Sequence, residues 1–230
     1  MHGSYIVSTE GHSAAGKSSM QRFLVGTLKQ KGMIATYIDA ESLFPSFVLE
    51  NPDDMYEIYG RTPSGDGKKF LLETHYVASP KKRYEFISWA RDQYEKTVLQ
   101  IKDSLEKGKA IPKYSDSIVN QTPYPDIILT ELATISESKE LWNKALYRLR
   151  IIAPIYKRIE NQGYRNLDRD NATTDQVQLA LSKSIAYGKS VENARADMDI
   201  YNMGSKENFE TQITLASHAI IQKLNLEKSK

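Results

Sequence analysis

The sequence of 230 residues contains no cysteine, which excludes disulfides, thiolate nucleophiles and cysteine-ligated zinc. Its four histidines are scattered and do not have the spacing of metal ligands. The net charge of +2 is too small to indicate a nucleic acid as an obligatory partner. No apolar run is long enough to span a membrane, and the first residues do not have the pattern of a signal peptide. We therefore expect a cytoplasmic protein without a membrane partner.

The length and composition of the chain are those of one soluble domain. Short apolar segments alternate with longer segments of helical periodicity. The predicted strands are Tyr5–Thr9, Met33–Asp39, Lys109–Tyr114, Asp126–Leu132 and Asp199–Met203. The predicted helices are Ser18–Lys31, Tyr84–Lys107, Lys139–Arg150, Asp175–Arg195 and Lys206–Leu224. This alternation predicts an α/β fold in which a five-stranded parallel sheet is covered by helices on both faces.

The first predicted strand is followed by the sequence GHSAAGKS, from Gly11 to Ser18. It matches the pattern G-x-x-x-x-G-K-[ST] in the required context, after a strand and at the start of a helix. In such a loop the backbone N–H groups and the helix N-terminus hold phosphates. We expect Lys17 to reach the β- and γ-phosphates of ATP, and Ser18 to bind Mg²⁺. The residues predicted to bind the nucleotide are Gly11, His12, Ser13, Ala14, Ala15, Gly16, Lys17, Ser18 and Ser19.

ATPases, GTPases and small kinases all have this loop, so the rest of the sequence has to distinguish them. A GTPase would carry an N-K-x-D-like motif that reads the base and a D-x-x-G element, and the sequence has neither. A motor ATPase would have a strand that ends in Asp or Asp-Glu. Glu131 in the segment DIILTEL is only a weak match to that pattern.

Five segments, the first of which contains this loop, follow one another in a characteristic order. They are IVSTEGHSAAGKSS, RTPSGDGKKFLLE, FISWARDQYEKTVLQIKDSLEKGKAI, KYSDSIVNQTPYPDIILTEL and DIYNMGSKENFETQI. In this order the chain resembles the thymidylate kinase family over nearly its whole length, with extra residues at about 41–59. The resemblance implies a single P-loop kinase domain over residues 1–230, with ATP and Mg²⁺ as cofactors. It also implies a pyrimidine deoxynucleotide as substrate and a homodimeric assembly.

The same resemblance implies the residues that bind the phosphoryl acceptor. They are Arg61, Phe86, Arg91, Lys113, Tyr114, Ser117 and Gln121. Arg61 would contact the phosphate of the acceptor, and Lys113 would lie near the phosphoryl group in transfer. Phe86 could stack on a base or pack in the core, and both alternatives stay open, since buried aromatic side chains usually pack.

Phosphoryl transfer needs cationic groups around the transferred phosphate, but the loop itself contains no arginine. The segment of about residues 148–172 contains five arginines, at positions 148, 150, 158, 165 and 169. We predict that it forms a lid over the nucleotide and supplies a catalytic arginine, with Arg150 and Arg158 as the candidates. The alternative is a solvated basic helix and loop.

The sequence departs from the family at three positions where carboxylates are usual. Ser13, Thr62 and Pro112 stand there instead. Carboxylates elsewhere could replace them, and the candidates are Glu10, Asp39, Glu41 and Asp116. We predict that Ser18 and Glu10 are the metal ligands and that Asp39 belongs to the catalytic set.

Three functions stay open from the sequence. The first is transfer of the γ-phosphate of ATP to a dTMP-like nucleotide. The second is phosphorylation of a modified pyrimidine, such as a 5-hydroxymethyl group in a nucleotide or in DNA. A hydroxyl acceptor would need a carboxylate base, for which Asp39 and Glu41 are placed after the second predicted strand. DNA is a partner only under this second function. The third is nucleotide binding without catalysis.

Overall fold

The computed structural model describes residues 3–12, 14–75, 77–132, 139–161 and 195–230. Within these ranges the strands are β1 (Tyr5–Gly11), β2 (Ala35–Ile38), β3 (Ile118–Val119), β4 (Ile127–Leu132), β5 (Tyr147–Ile152) and β6 (Met198–Tyr201). They form one sheet in the order β3-β2-β4-β1-β5-β6. All neighbouring strands are parallel except β2 and β3. The predicted α/β fold is therefore confirmed, with a sixth, antiparallel strand at the edge of the five parallel ones.

Helices cover both faces of this sheet. Among the described residues they are α1 (Lys17–Gln30), α2 (Ala40–Glu50), α3 (Pro52–Tyr59), α4 (Gly67–His75), α5 (Pro80–Glu106), α6 (Lys139–Lys144) and α7 (Lys206–Lys228). Residues 155–161 are also helical, and a 3₁₀ helix spans Pro112–Ser117. None of the described helices has both the length and the hydropathy of a membrane span. Almost all of the predicted helix Asp175–Arg195 lies outside the described residues.

The predicted strand Lys109–Tyr114 is wrong, because this segment is a loop that leads into the 3₁₀ helix at Pro112. Proline lacks the N–H that a strand needs for its ladder and favours the first turn of a helix. The edge strand follows at Ile118–Val119 and pairs antiparallel with β2.

The predicted helix Lys139–Arg150 is correct only in its first half. Helix α6 ends at Lys144, and β5 begins at Tyr147. Leu149 and Ile151 are fully buried and alternate with half-buried arginines. This period of two is typical of a strand. The extra residues at 41–59 form α2 and α3.

Each face of the sheet has its own hydrophobic core. On one face, α1 and α7 pack against the strands through side chains such as Leu24, Leu28 and Ile220. On the other face, α5 packs through Tyr94 and Ile101, together with residues of α2 and α6. The result is a three-layer sandwich in which the carboxyl ends of β1, β2 and β4 lie side by side. Ligands bind at this edge in parallel α/β sheets.

Candidate active site

The loop between β1 and α1 is shaped by two glycines with positive φ. Gly11 has φ of 153°, and a Cβ atom there would lie 2.7 Å from the carbonyl oxygen of Ile151. Gly16 has φ of 102° and precedes α1 without forming a side-chain cap. Since no side chain caps α1, its first N–H groups can bind an anion. This geometry fits the phosphate loop that the sequence predicts.

Lys17 begins α1 and turns back towards this loop. Its Nζ donates hydrogen bonds to the carbonyl oxygens of Gly11, at 2.9 Å, and His12, at 3.0 Å. The same Nζ lies 3.6 Å from Oε1 of Glu131, and both side chains are buried. The loop therefore presents one buried cation next to one buried carboxylate.

Glu131 lies at the carboxyl end of β4, beside Thr9 of β1. Its Oε2 accepts hydrogen bonds from the hydroxyls of Ser18, at 3.3 Å, and Tyr37, at 3.0 Å. Burial raises the pKa of the Glu131 carboxyl, and the charge of Lys17 opposes this rise. The sequence indicated Glu131 only as a weak match, because its importance depends on which strands are neighbours.

A cavity of about 810 Å³ opens over these groups, and we call it the P-loop cavity. Lys17, Ser18 and Glu131 line it, together with Asp39 and Glu41 from the end of β2 and the start of α2. Asp39 is held in place as the N-cap of α2, where its Oδ1 accepts the Glu41 N–H at 3.1 Å. Two carboxylates thus face the cavity from the β2 side.

Two other segments that line the P-loop cavity brace the loop through asparagines. Nδ2 of Asn161 donates to the Ala14 carbonyl, and Nδ2 of Asn202 donates to the Ala15 carbonyl, both at 2.9 Å. Sequence reasoning missed both residues. Asn202 lies inside the predicted strand Asp199–Met203, whereas β6 ends at Tyr201 and leaves Asn202 in the turn before α7.

Cations and aromatic rings also line the P-loop cavity. The cations are Arg22, Lys157 and Lys206, and the rings are Phe23 and Phe209. None of these five side chains was predicted as a site residue, although Lys206 and Phe209 lie in the last of the motif segments and Lys157 lies in the predicted lid segment. The cavity therefore has basic and aromatic groups on the α1 and α7 side.

The structure places Arg61 and Lys113 away from the P-loop cavity. Arg61 pairs with Glu73 at 2.9 Å, and Lys113 pairs with Glu50 at 2.9 Å, on the exposed surface. The hydrogen bond from Lys113 to Glu50 raises the pKa of Lys113. Neither cation lines the cavity.

Other predicted acceptor residues are dispersed. Gln121 precedes β4 at the opposite edge of the sheet, where it lines a smaller cavity of about 450 Å³. Ser117 is buried, and its carbonyl accepts the N–H of Asp39 at 2.8 Å, which puts it near the β2 side of the cavity. Tyr114 packs against the core of the α5 face.

Two predicted acceptor residues lie on α5. Phe86 is 3% exposed and packs between the rings of Phe44, Tyr59 and Trp89. This placement supports the core alternative for Phe86. Arg91 is also buried, and its Nη2 donates to Ser88 Oγ at 3.0 Å. Burial lowers the pKa of Arg91.

The arginines expected in a lid occupy different environments. Arg150 lies in β5, where Nε and Nη2 donate to the two carboxylate oxygens of Asp199, both at 2.8 Å. Arg158 is buried in the helical residues 155–161, and burial lowers its pKa. Neither side chain lines the P-loop cavity. Arg165 and Arg169 lie outside the described residues, so the lid stays a prediction.

Glu10 lies on the sheet face opposite to Thr9 and Glu131, because successive strand residues point to opposite faces. Its side chain is fully buried, and neither carboxylate oxygen has a hydrogen-bond partner among the described residues. Burial raises the pKa of Glu10 to about 8, with the charge of Arg150 opposing the rise. The predicted pair of metal ligands is not brought together, since the carboxylate next to Ser18 is Glu131.

The residues of the P-loop cavity fit a magnesium ion that is bound together with phosphates. Mg²⁺ takes oxygen ligands in an octahedron and needs one or two protein groups, with water and substrate phosphates as the others. Ser18 Oγ and Glu131 Oε2 are two such oxygens at 3.3 Å from each other. Across the described residues, no group of three or more acidic or histidine side chains forms a metal site by itself.

No protein-family model matches this sequence, and no curated protein matches it significantly. Two solved structures are similar in fold. TT1252 from Thermus thermophilus has a TM-score of 0.55 and 15% identity, over 94% of this chain and 97% of its own. A chain assigned as a fructose transport system kinase, from Silicibacter sp. TM1040, has a TM-score of 0.51 and 16% identity, over 86% of this chain and 90% of its own. The chain therefore has the three-layer α/β fold of these two structures, and at these identities the likeness concerns the fold alone.

Proposed function

We propose that this protein is an ATP-dependent phosphotransferase of the P-loop kinase type. The main observation behind the proposal is that Lys17 and Ser18 both contact Glu131 at the start of α1. This start has no side-chain cap, and a large cavity opens over it. A backbone cradle, a lysine and a hydroxyl beside a carboxylate are the groups that bind a nucleoside triphosphate with Mg²⁺.

Each of these groups has a role in holding ATP. The N–H groups at the start of α1 bind phosphate oxygens, and Lys17 moves from the carbonyls of Gly11 and His12 to the β- and γ-phosphates. Ser18 and Glu131 would hold Mg²⁺. When bound, Mg²⁺ neutralises charge on the phosphates and orients them for in-line attack.

Basic residues around the cavity supply the remaining positive charge. Lys157 and Lys206 line it, and the rings of Phe23 and Phe209 offer apolar surface for the nucleoside. Catalysis of phosphoryl transfer depends mainly on such positioning and charge stabilisation. Arg150 and Arg158 remain candidates that would have to move to contribute.

The first candidate acceptor is a dTMP-like pyrimidine deoxynucleoside monophosphate, as in thymidylate kinases. The order of sequence motifs supports it, as does the position of Ser117 next to Asp39. In this reaction a phosphate oxygen of the acceptor attacks the γ-phosphorus and ADP leaves. Arg61 and Lys113 could bind that acceptor only after leaving their surface ion pairs.

The second candidate acceptor is a hydroxyl group, such as that of a modified pyrimidine. The observation that favours it is the pair of carboxylates, Asp39 and Glu41, on the β2 side of the cavity. A carboxylate can take the proton of an attacking hydroxyl, whereas a phosphate acceptor is already an anion and would be repelled. In this reaction the hydroxyl oxygen bonds to the γ-phosphorus, its proton passes to Asp39, and ADP leaves.

Transfer of label from [γ-³²P]ATP tests both candidates. The acceptors are the common deoxynucleoside monophosphates, 5-hydroxymethyl-dUMP and DNA that contains 5-hydroxymethyluracil. Label on dTMP supports the first candidate, and label on a hydroxymethyl group supports the second. Asp39→Asn should abolish transfer to a hydroxyl and reduce transfer to a phosphate much less. Asp53→Asn, at an exposed position of α3, is the control. Tight ATP binding without transfer to any acceptor would favour the non-catalytic alternative.

A further inference from the structure

A buried tyrosine reaches the proposed metal ligand from the neighbouring strand. Tyr37 in β2 has Leu129 of β4 as its register partner, so Glu131 lies two residues further along the same face. The side chains of such diagonal neighbours are within reach when one of them is aromatic. The phenol spans this separation, and its hydroxyl donates to Glu131 Oε2 at 3.0 Å.

The Tyr37 ring is rigid in this position. It is completely buried within the core between the sheet, α1 and α7. Ser18 also donates to Glu131 Oε2, at 3.3 Å. The orientation of the Glu131 carboxylate is therefore set in part by a side chain of the neighbouring strand β2.

We infer that Tyr37 is a positioning residue for the metal–nucleotide complex, because its hydroxyl holds Glu131 Oε2 beside Ser18 Oγ before the nucleotide binds. The inference rests on the proposed function. Glutamate has several rotatable bonds, so a free Glu131 would lose conformational entropy on binding a metal. Groups that hydrogen-bond to a metal-binding carboxylate typically change metal affinity or activity by about 10- to 100-fold when removed.

Another explanation is that Tyr37 only satisfies a buried carboxylate and contributes to folding. The two roles differ in what the variant Tyr37→Phe changes. This variant keeps the ring and removes one hydroxyl. Thr36→Val is a matched control, because Thr36 is equally buried in the same strand and its hydroxyl donates to the Asn120 carbonyl at 3.1 Å, on the other face of the sheet. Both variants remove the hydroxyl of a buried side chain, but only the Tyr37 hydroxyl bonds to Glu131.

The experiment measures Mn²⁺ binding by electron paramagnetic resonance, with a non-hydrolysable ATP analogue bound to the full chain. Analogue binding without metal and the thermal midpoint are measured in parallel. We expect Tyr37→Phe to weaken Mn²⁺ binding by about 10-fold or more and to leave metal-free analogue binding unchanged. Thr36→Val should leave both unchanged. In a Glu131→Gln background, Tyr37→Phe should have little further effect on Mn²⁺, since it acts through that side chain.

Equal Mn²⁺ affinity in Tyr37→Phe and wild type would overturn the inference, even if the thermal midpoint falls. The inference would also be overturned if Tyr37→Phe weakens Mn²⁺ binding by the same factor in the Glu131→Gln background as in the wild-type background. If the wild-type protein does not bind the analogue, with or without metal, the result contradicts the proposed function itself rather than the role of Tyr37. These results are distinguishable, because wild-type binding is measured independently of the variants.

Discussion

The Nζ atom of Lys17 and the Oε1 atom of Glu131 lie 3.6 Å apart, with both side chains buried. One residue begins α1 and the other comes from the end of β4, so the contact joins the phosphate loop to the adjacent strand. The carboxylate and two loop carbonyls are the partners of the lysine. A triphosphate would compete for the same cation.

Lys17→Ala should abolish measurable ATP binding. The variant removes the charge that reaches the β- and γ-phosphates and leaves Glu131 buried without its cation. Lys29→Ala, near the other end of α1, is the control, because Lys29 is exposed. Isothermal titration calorimetry with ATP and Mg²⁺ checks the prediction. Equal affinities for the two variants would show that Lys17 does not contact the nucleotide.

Lys157→Ala should lower kcat by at least about tenfold if Lys157 stabilises charge on the transferred phosphate. Lys157 lines the P-loop cavity and pairs with Glu160 at 2.9 Å. Glu160→Gln breaks the same ion pair but keeps the cation, so it should retain activity. Steady-state kinetics with ATP and the active acceptor distinguish them. A similar kcat in Lys157→Ala and wild type would show that another residue supplies the cation that stabilises the transferred phosphate.

Glu10→Gln should change the pH dependence of stability. Burial raises the pKa of Glu10 to about 8 in the folded protein, whereas glutamate in an unfolded chain has a pKa of about 4.3. Between these values the unfolded chain loses the proton and the folded protein keeps it, so stability falls as pH rises. Glutamine has no proton to lose, and this part of the decline should disappear.

Thermal unfolding of wild type and Glu10→Gln between pH 5 and pH 8 measures this effect. The thermal midpoint of Glu10→Gln minus that of the wild type should increase as the pH rises. Glu57→Gln, at an exposed position of α3, is a suitable control. Parallel pH profiles for wild type and Glu10→Gln would contradict the raised pKa.

Phe86→Ala should destabilise the protein by about 3–5 kcal/mol, as expected for the loss of a buried aromatic ring. The ring is 3% exposed and packs among the aromatic residues of the α2–α4 region. Tyr84→Ala, on the exposed face of α5, should cost much less. Urea denaturation gives both values. A stable Phe86→Ala variant with a large rise in acceptor KM would instead support base stacking.

The phosphate loop could be predicted from the sequence because all its parts are adjacent in the chain. Glu131 could not be identified in the same way, since its contacts with Lys17 and Tyr37 arise from the neighbours of β4 in the sheet. Arg61 was chosen by position in a motif, but its ion pair with Glu73 depends on how α4 folds back. The second half of the helix predicted to Arg150 is a strand, because burial on alternate residues outweighed helical propensity.

The homodimer implied by the family resemblance stays a prediction. Helices α5 and α7 are the long helices of the two outer layers, and both also pack onto the sheet. Sedimentation velocity over a range of protein concentrations would give the oligomeric state. A single species with the mass of one chain at all concentrations would contradict the dimer.

The most direct test of the central claim is a crystal structure of the protein with Mg²⁺ and a non-hydrolysable ATP analogue. We predict that the phosphates lie at the start of α1, that Lys17 Nζ has left the carbonyl of Gly11, and that the metal lies between Ser18 and Glu131. Phosphates bound elsewhere, or a Lys17 that keeps its contacts with Gly11 and His12 beside an occupied site, would contradict the account.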